Sequence, residues 1–338
     1  MPRIADLSIS LPVLAAPMAG GPTTPALVTA AAAAGSLGLL AGGYRDAAQL
    51  AEQIREVRSG TETFGVNLFA PNPIPVDPAA YAGYALALAP VAGRFAATLP
   101  ARPVEDDDGW PDKLDLLLSD PVPLVSFTFG LPPTKAIRAL RRAGTAVAQS
   151  VTTVPEARWA QDVGVDLLIV QGSGAGGHSA VFDPAAAAVP APLTDVVREV
   201  FAATRLPVIA AGGVADATDV AELVHAGATA AAVGTALLLA DEAGTSAVHR
   251  RAIAERTGPT RMTRAFTGRP ARGLVNDFMA RFDELAPPGY PALHHLTGPL
   301  RRAAAAVGDP EWMHLWAGTG HRSVAPGSVA DILARLAV

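Results

Sequence analysis

The sequence predicts a (β/α)8 barrel. Eight short apolar runs recur between residues 13 and 233, helical segments lie between them, and several of those segments end at a glycine just before the next run. The runs are Val13–Ala16, Leu37–Leu40, Phe64–Leu68, Val122–Ser126, Ala146–Gln149, Leu167–Val170, Pro207–Ala210 and Ala230–Val233. Each is continuously apolar rather than alternating, as expected of strands covered on both faces. Thr23–Ala34 opens with Thr-Thr-Pro and closes at Gly35, which supplies an N-cap, a first-turn proline and a helix stop. Asp46–Arg58 starts at an N-cap aspartate and carries charge on one face. Thr134–Arg142, Val154–Val163 and Thr218–His225 lead to Gly144, Gly164 and Gly227, and each is followed by a new run. An open doubly wound sheet is the competing arrangement for the same alternation.

Two insertions break the rhythm, Ala70–Asp120 after the third run and Ser179–Pro190 after the sixth. The strand rhythm stops near residue 260, and Pro287, Pro288 and Pro291 mark an irregular stretch. Residues 1–260 therefore read as the barrel, with an insertion at about 70–120. Residues 261–338 read as loops and short helices capping the mouth and contributing to a substrate pocket.

Composition narrows the function. Half of the 338 residues are hydrophobic and 17% are charged, below the ~25% of an average chain, which argues against disorder. With 26 Lys and Arg against 31 Asp and Glu, the net charge of −5 argues against a nucleic-acid surface. The absence of cysteine rules out disulfides, thiolate metal sites, Fe–S clusters and a cysteine nucleophile. No run of eighteen apolar residues is present, so no membrane span is expected. Leu11–Ala19 is broken by Pro12 and Pro17 and preceded by Asp6, which suits a buried first strand rather than a signal peptide. A cytoplasmic location is the corresponding expectation, and homo-oligomerisation is left open.

In a barrel the chemistry sits on loops after the strands. Gly212-Gly213 follows the seventh run and Gly234-Thr235 the eighth, with a short helix expected after Gly234. Two glycine turns at these strands present backbone N–H groups as a phosphate cradle, although glycines also serve tight turns alone. After the sixth run, Gly172, Gly174 and Gly177 spell G-x-G-x-x-G. The dinucleotide fingerprint is rejected, because it needs a helix in the turn and Pro184, Pro190 and Pro192 follow instead. The better reading is a loop whose backbone lies against a flat ligand, ending in His178 as the candidate catalytic residue.

Pro17, Met18 and Ala19 place small residues and a thioether at the mouth. Asn67 and Gln171 end their strands with amides that need partners; Ser126 and Gln149 are weaker cases of the same pattern. His225 and His249 read as helix and surface residues, whereas His294, His295, His314 and His321 stay ambiguous. Asp106-Asp107-Asp108 reads as a solvated turn. No metal-ligand spacing and no serine-hydrolase elbow occur.

These motifs together resemble the nitronate monooxygenases, formerly called 2-nitropropane dioxygenases. The carriers are residues 16–21 (Ala-Pro-Met-Ala-Gly-Gly), 64–69 (Phe-Gly-Val-Asn-Leu-Phe), 125–132, 149–151, 171–178, 210–213, 233–235, 266–273 and 315–318 (Leu-Trp-Ala-Gly). The resemblance implies an FMN-dependent barrel without metal. It implies that Pro17, Met18, Ala19, Asn67, Gln171, Gly176 and Gly177 lie along the flavin, and that Gly212, Gly213, Gly234 and Thr235 hold its phosphate. It implies His178 as the active-site histidine, working at a pKa near neutrality. Phe69, Ser126 and Trp316 are expected in the substrate pocket. The implied reaction oxidises an alkyl nitronate, or a nitroalkane, with O2 to a carbonyl compound and nitrite by way of a flavin semiquinone. An FMN-dependent NAD(P)H:quinone or enoyl-thioester reductase and a non-catalytic flavin binder are the alternatives. Two positions depart from the family pattern. Gly174 stands where a glutamate is usual, and Ser179 where an arginine is common, which removes a carboxylate and an anion-attracting charge from the loop.

Overall fold

A computed structural model describes residues 3–4, 7–185 and 190–337. Asp6 and residues 186–189 of the Ala/Pro-rich loop lie outside the described residues.

Eight parallel strands close into a barrel: β1 (Val13–Ala15), β2 (Gly38–Ala41), β3 (Phe64–Phe69), β4 (Leu124–Thr128), β5 (Ala146–Val151), β6 (Leu167–Gln171), β7 (Val208–Ala211) and β8 (Ala230–Val233). Every apolar run of the sequence became one strand, and the closed barrel displaces the open sheet. Sequential strands are neighbours, and β8 pairs with β1 through Val233 and Ala15 to close the ring.

The helices start where capping chemistry permits. Thr24 accepts from the Leu27 N–H at the head of Pro25–Ala33. Asp46 and Gln49 form a reciprocal capping box before Ala47–Arg58. Gly164, with φ of 89°, ends Val154–Val163 in the left-handed region. Inside the barrel, Leu14, Leu39, Leu124, Leu167 and Ile209 fill the interior, so it is a packed plug. Outside it, strand residues such as Val66, Phe127 and Val170 pack against the inner faces of the helices.

The segment after β8 is more regular than loops and short helices. Thr260–Thr263 and Ala271–Leu274 form an antiparallel pair, and a helix runs over Ala292–Ala306. A second core joins this segment to the insertion: Tyr81, Tyr84 and Leu88 pack with Phe266, Phe278, Leu296 and Leu300. The final helix, Val329–Leu336, returns to the main core and packs against Pro25–Ala33 and Ala217–His225. It takes the outer position that a helix directly after β8 would fill.

The acidic run is not merely a solvated turn. Asp108 accepts from the Tyr44 N–H and pairs at 2.7 Å with Lys113, which is buried; Asp106 meets His295 at 2.6 Å. No helix among the described residues is long and apolar enough to cross a membrane.

Candidate active site

A cavity of about 590 Å³ opens at the C-terminal ends of the strands. Its floor is the barrel plug (Leu14, Leu39, Leu124, Ile169, Ile209), and its walls are the strand-end loops. Pro17, Met18, Ala19, Asn67, Phe69, Gln171, Gly176, Gly177, His178, Gly212, Gly213, Gly234, Thr235 and Trp316 all line it. Ser126 does not. It is fully buried behind Asn67, whose Nδ2 donates to its hydroxyl at 2.9 Å and to Thr128 Oγ1 at 3.0 Å. Gln149 is also buried, on the side of its strand shared with Val147 and Val151, and donates to the Phe127 and Ser150 carbonyls. Ser126 faces the barrel interior one layer below Thr128, which lines the cavity, whereas Gln149 points to the helix side of its strand.

Glycine is required where backbones approach closely. Gly212 and Gly213 have φ of 115° and 80°, a region that disfavours side chains. A Cβ on Gly212 would sit 2.9 Å from Ala175 N, and one on Gly176 would sit 2.6 Å from Ala317 C. Among the described residues, no backbone acceptor is found for the N–H groups of Gly212, Gly213 or Gly234. This is the donor set a phosphate needs. The helix expected after Gly234 is a single 3-10 turn, Thr235–Leu237, so backbone donors rather than a long helix dipole form the cradle. Thr235 Oγ1 accepts from the Gly318 N–H at 2.9 Å, tying the C-terminal segment to this wall.

The loop after β6 is held from three directions. Gln171 Oε1 accepts from the Ala180 N–H at 2.8 Å, and its Nε2 donates to the His178 carbonyl at 3.2 Å. Gly177–His178 pairs as a short strand with Ala271–Arg272, and Arg272 Nε donates to the Ser173 carbonyl at 2.7 Å. Thr319 N donates to the Gly174 carbonyl at 2.9 Å. The 266–273 motif is thus a clamp on the glycine loop, a role no local pattern in the sequence reveals.

His178 lies among the rings of Phe129, Tyr290 and Trp316, at centroid distances of 5.7, 5.9 and 5.5 Å. Its Nε2 meets Thr267 Oγ1 at 2.9 Å. Burial first, then the charges of Arg269 and Arg301, push its pKa down to about 3, not near neutrality. A pKa of about 3 leaves the ring neutral near pH 7.

Several wall residues escaped the sequence reading. Tyr44 stacks on His294 at 4.4 Å and, with φ of 64°, holds a strained backbone at the mouth. His249 is not a surface residue: it lines the cavity, and its Nε2 bonds the Trp316 carbonyl at 3.1 Å. His294, His314, Arg301 and Arg302 come from the C-terminal segment. His295 and His321 lie off the cavity, the first paired with Asp106 and the second buried. Ser179 is buried, so the positive charge near His178 comes from Arg269 and Arg301 instead. No group of three His, Asp or Glu side chains among the described residues is arranged to hold a metal ion.

A parallel β/α barrel with a cradle of free N–H groups and a half-buried histidine at its mouth defines an enzyme of the barrel class. Comparison with known proteins specifies which one. Residues 2–338 match the family model described as nitronate monooxygenase. The nitronate monooxygenase of Pseudomonas aeruginosa is 36% identical, with 98% of this chain and 96% of that protein covered. The solved nitroalkane oxidase of Streptomyces ansochromogenes superposes with a TM-score of 0.93 at 42% identity, over 97% of this chain and 95% of that one. FabK of Thermotoga maritima follows at a TM-score of 0.75 and 26% identity, over 97% and 92%. The chain belongs to the nitronate monooxygenase family, and it is an oxidoreductase.

Proposed function

We propose that this chain is an FMN-dependent nitronate monooxygenase that converts small alkyl nitronates and O2 to a carbonyl compound and nitrite. One observation carries the reading: a single cavity joins the glycine cradle at β7 and β8 to a wall of neutral histidines, arginine and aromatic rings. The flavin, when bound, supplies the electron transfer that neither histidine nor arginine can perform. The cradle observations fit such a group. Gly212, Gly213, Gly234 and Thr235 would hold its phosphate, and the backbone of 17–19, Asn67 and Gly176-Gly177 would hold its ring.

The protein contributes position and electrostatics. The barrel plug and the rings of Phe69, Phe129 and Trp316 exclude water from the reacting carbon. Met18 and Phe69 leave room suited to short aliphatic chains. Toward the anionic nitronate, neutral His178, its Nε2 engaged by Thr267 Oγ1, serves as a ring of the pocket wall rather than as a hydrogen-bond donor. For a neutral nitroalkane, the ring nitrogen not bonded to Thr267 takes the α-proton.

Anaerobic mixing of the purified yellow protein with propyl-2-nitronate tests the reading. The visible flavin bands are expected to change within the mixing experiment, and nitrite to appear once air is admitted. A yellow protein that ignores nitronate and is bleached by NADPH would instead be a reductase. A protein unable to take up FMN would overturn the cradle.

A further inference from the structure

The C-terminal wall of the cavity carries a positive charge with no counter-ion among the described residues. Arg301 is 6% exposed and lines the cavity from the helix Ala292–Ala306. His294, Thr297 and Arg301 are spaced to share one face of that helix. The guanidinium meets only neutral acceptors. Nε donates to Thr297 Oγ1 at 3.0 Å, Nη1 to His314 Nδ1 at 2.9 Å, and Nη2 to the His294 carbonyl at 2.9 Å and its Nδ1 at 3.4 Å. Among the described residues Arg301 forms no ion pair, and no Asp or Glu lines the cavity. A second buried guanidinium, Arg269, sits 4.0 Å over the Phe129 ring and also donates only to carbonyls.

Arg301 remains charged. Burial lowers its pKa only to about 10, and His294 and His314 turn ring lone pairs toward it, which keeps both rings neutral. A buried cation without a carboxylate is costly, and its cost falls when an anion enters beside it. A guanidinium has five N–H donors. One on Nη1 has no acceptor among the described residues, and the 3.4 Å bond from Nη2 is weak. An incoming pair of oxygens can take both at little loss.

We infer that Arg301 is the specificity-determining cation of this site: it recognises the two oxygens of the nitronate anion and selects that anion over the neutral nitroalkane. The inference rests on the nitronate reading above. It gives the chain another source of the positive charge that Ser179 cannot provide.

Nitrate, a planar oxyanion that is not oxidised, probes the site without turnover. In the wild-type holoenzyme, nitrate is expected to perturb the flavin spectrum and to compete with propyl-2-nitronate. Arg301→Met, with its flavin retained, is expected to lose the nitrate response and to raise KM for the nitronate about tenfold or more. KM for neutral 2-nitropropane should change less than about threefold, and Arg301→Lys should recover part of the nitrate response. A Met variant that keeps the nitrate response, or that weakens nitronate and nitroalkane equally, overturns the inference. Should the Met variant fail to fold, wild-type titration decides: nitrate must perturb the spectrum at least about tenfold more tightly than uncharged nitromethane. Equal effects overturn the inference. Nitrate binding through Arg301 in a protein that never releases nitrite would sink the nitronate function and leave an anion site standing.

Discussion

The imidazole Nε2 of His178 and the hydroxyl of Thr267 meet at 2.9 Å, joining the loop after β6 to the C-terminal clamp. The same hydroxyl lies 3.2 Å from the Arg269 carbonyl. A hydroxyl has one proton. If Thr267 gives it to that buried carbonyl, His178 must donate from Nε2, and Nδ1 is left as the base. Thr267→Val removes the hydroxyl and keeps the shape. It is predicted to lower kcat for neutral nitroalkanes by about tenfold to a hundredfold and to affect nitronate turnover far less. Thr267→Ser should restore the nitroalkane rate. Equal losses on both substrates would show a merely structural role.

Four histidines around the cavity are held neutral by burial. His178 and His249 are lowered to about 3 and about 4, and His294 and His314 lie well below their ordinary value. Below about pH 6.5 the unfolded chain binds protons that the folded chain refuses. Stability should therefore be full above pH 6.5 and fall toward pH 4, by up to roughly 1.4 kcal/mol per pH unit for each histidine that stays neutral. Urea unfolding at pH 7.5, 6 and 5 measures this. A His249→Gln variant should show a shallower slope. An unchanged midpoint across the range would mean the rings are protonated in the fold.

The same lowered pKa predicts a rate profile. No ionisation near pH 6.5 should appear in kcat/KM for the nitroalkane, because His178 is already a free base there. An acid limb centred near 6.5 that His178→Asn abolishes would contradict the burial of the ring.

Gly174 packs closely against Thr319 and the cradle. A Cβ there would lie 2.8 Å from Thr319 Oγ1 and 3.3 Å from the Gly213 backbone. Restoring glutamate alone, Gly174→Glu, should push on the cradle and reduce retained flavin. Adding Thr319→Ala removes the nearer clash and should recover flavin content, with a coupling of about 0.5–3 kcal/mol in a double-mutant cycle on thermal stability. Purely additive effects would show that the two positions do not meet.

Gln171 is committed on both ends of its amide. Gln171→Leu leaves the buried Ala180 N–H without its acceptor, at a cost of about 1–3 kcal/mol. Calorimetry should show the loss, and amide exchange should quicken over 177–180. Gln171→Glu keeps the acceptor and should lose less. Unchanged exchange in the leucine variant would count against the clamp.

The barrel was legible because its signals are local. Continuous apolar runs, capping residues and glycine stops depend on neighbours in sequence, and all eight runs became strands. The glycine cradle and His178 were legible for a related reason: position after a given strand fixes position at the mouth. Burial direction was not, since Ser126 and Asn67 sit on adjacent strands with similar chemistry and only one reaches the cavity. The sequence by itself determined the barrel, the family resemblance and the strand-end residues. Only the tertiary structure decided the neutral state of His178, its bond to Thr267, the hidden His249 and the unpaired Arg301. Those properties arise from groups up to 140 residues apart, as Phe129 and Arg269 are, brought together by burial, and burial sets both the partners and the charge of each group.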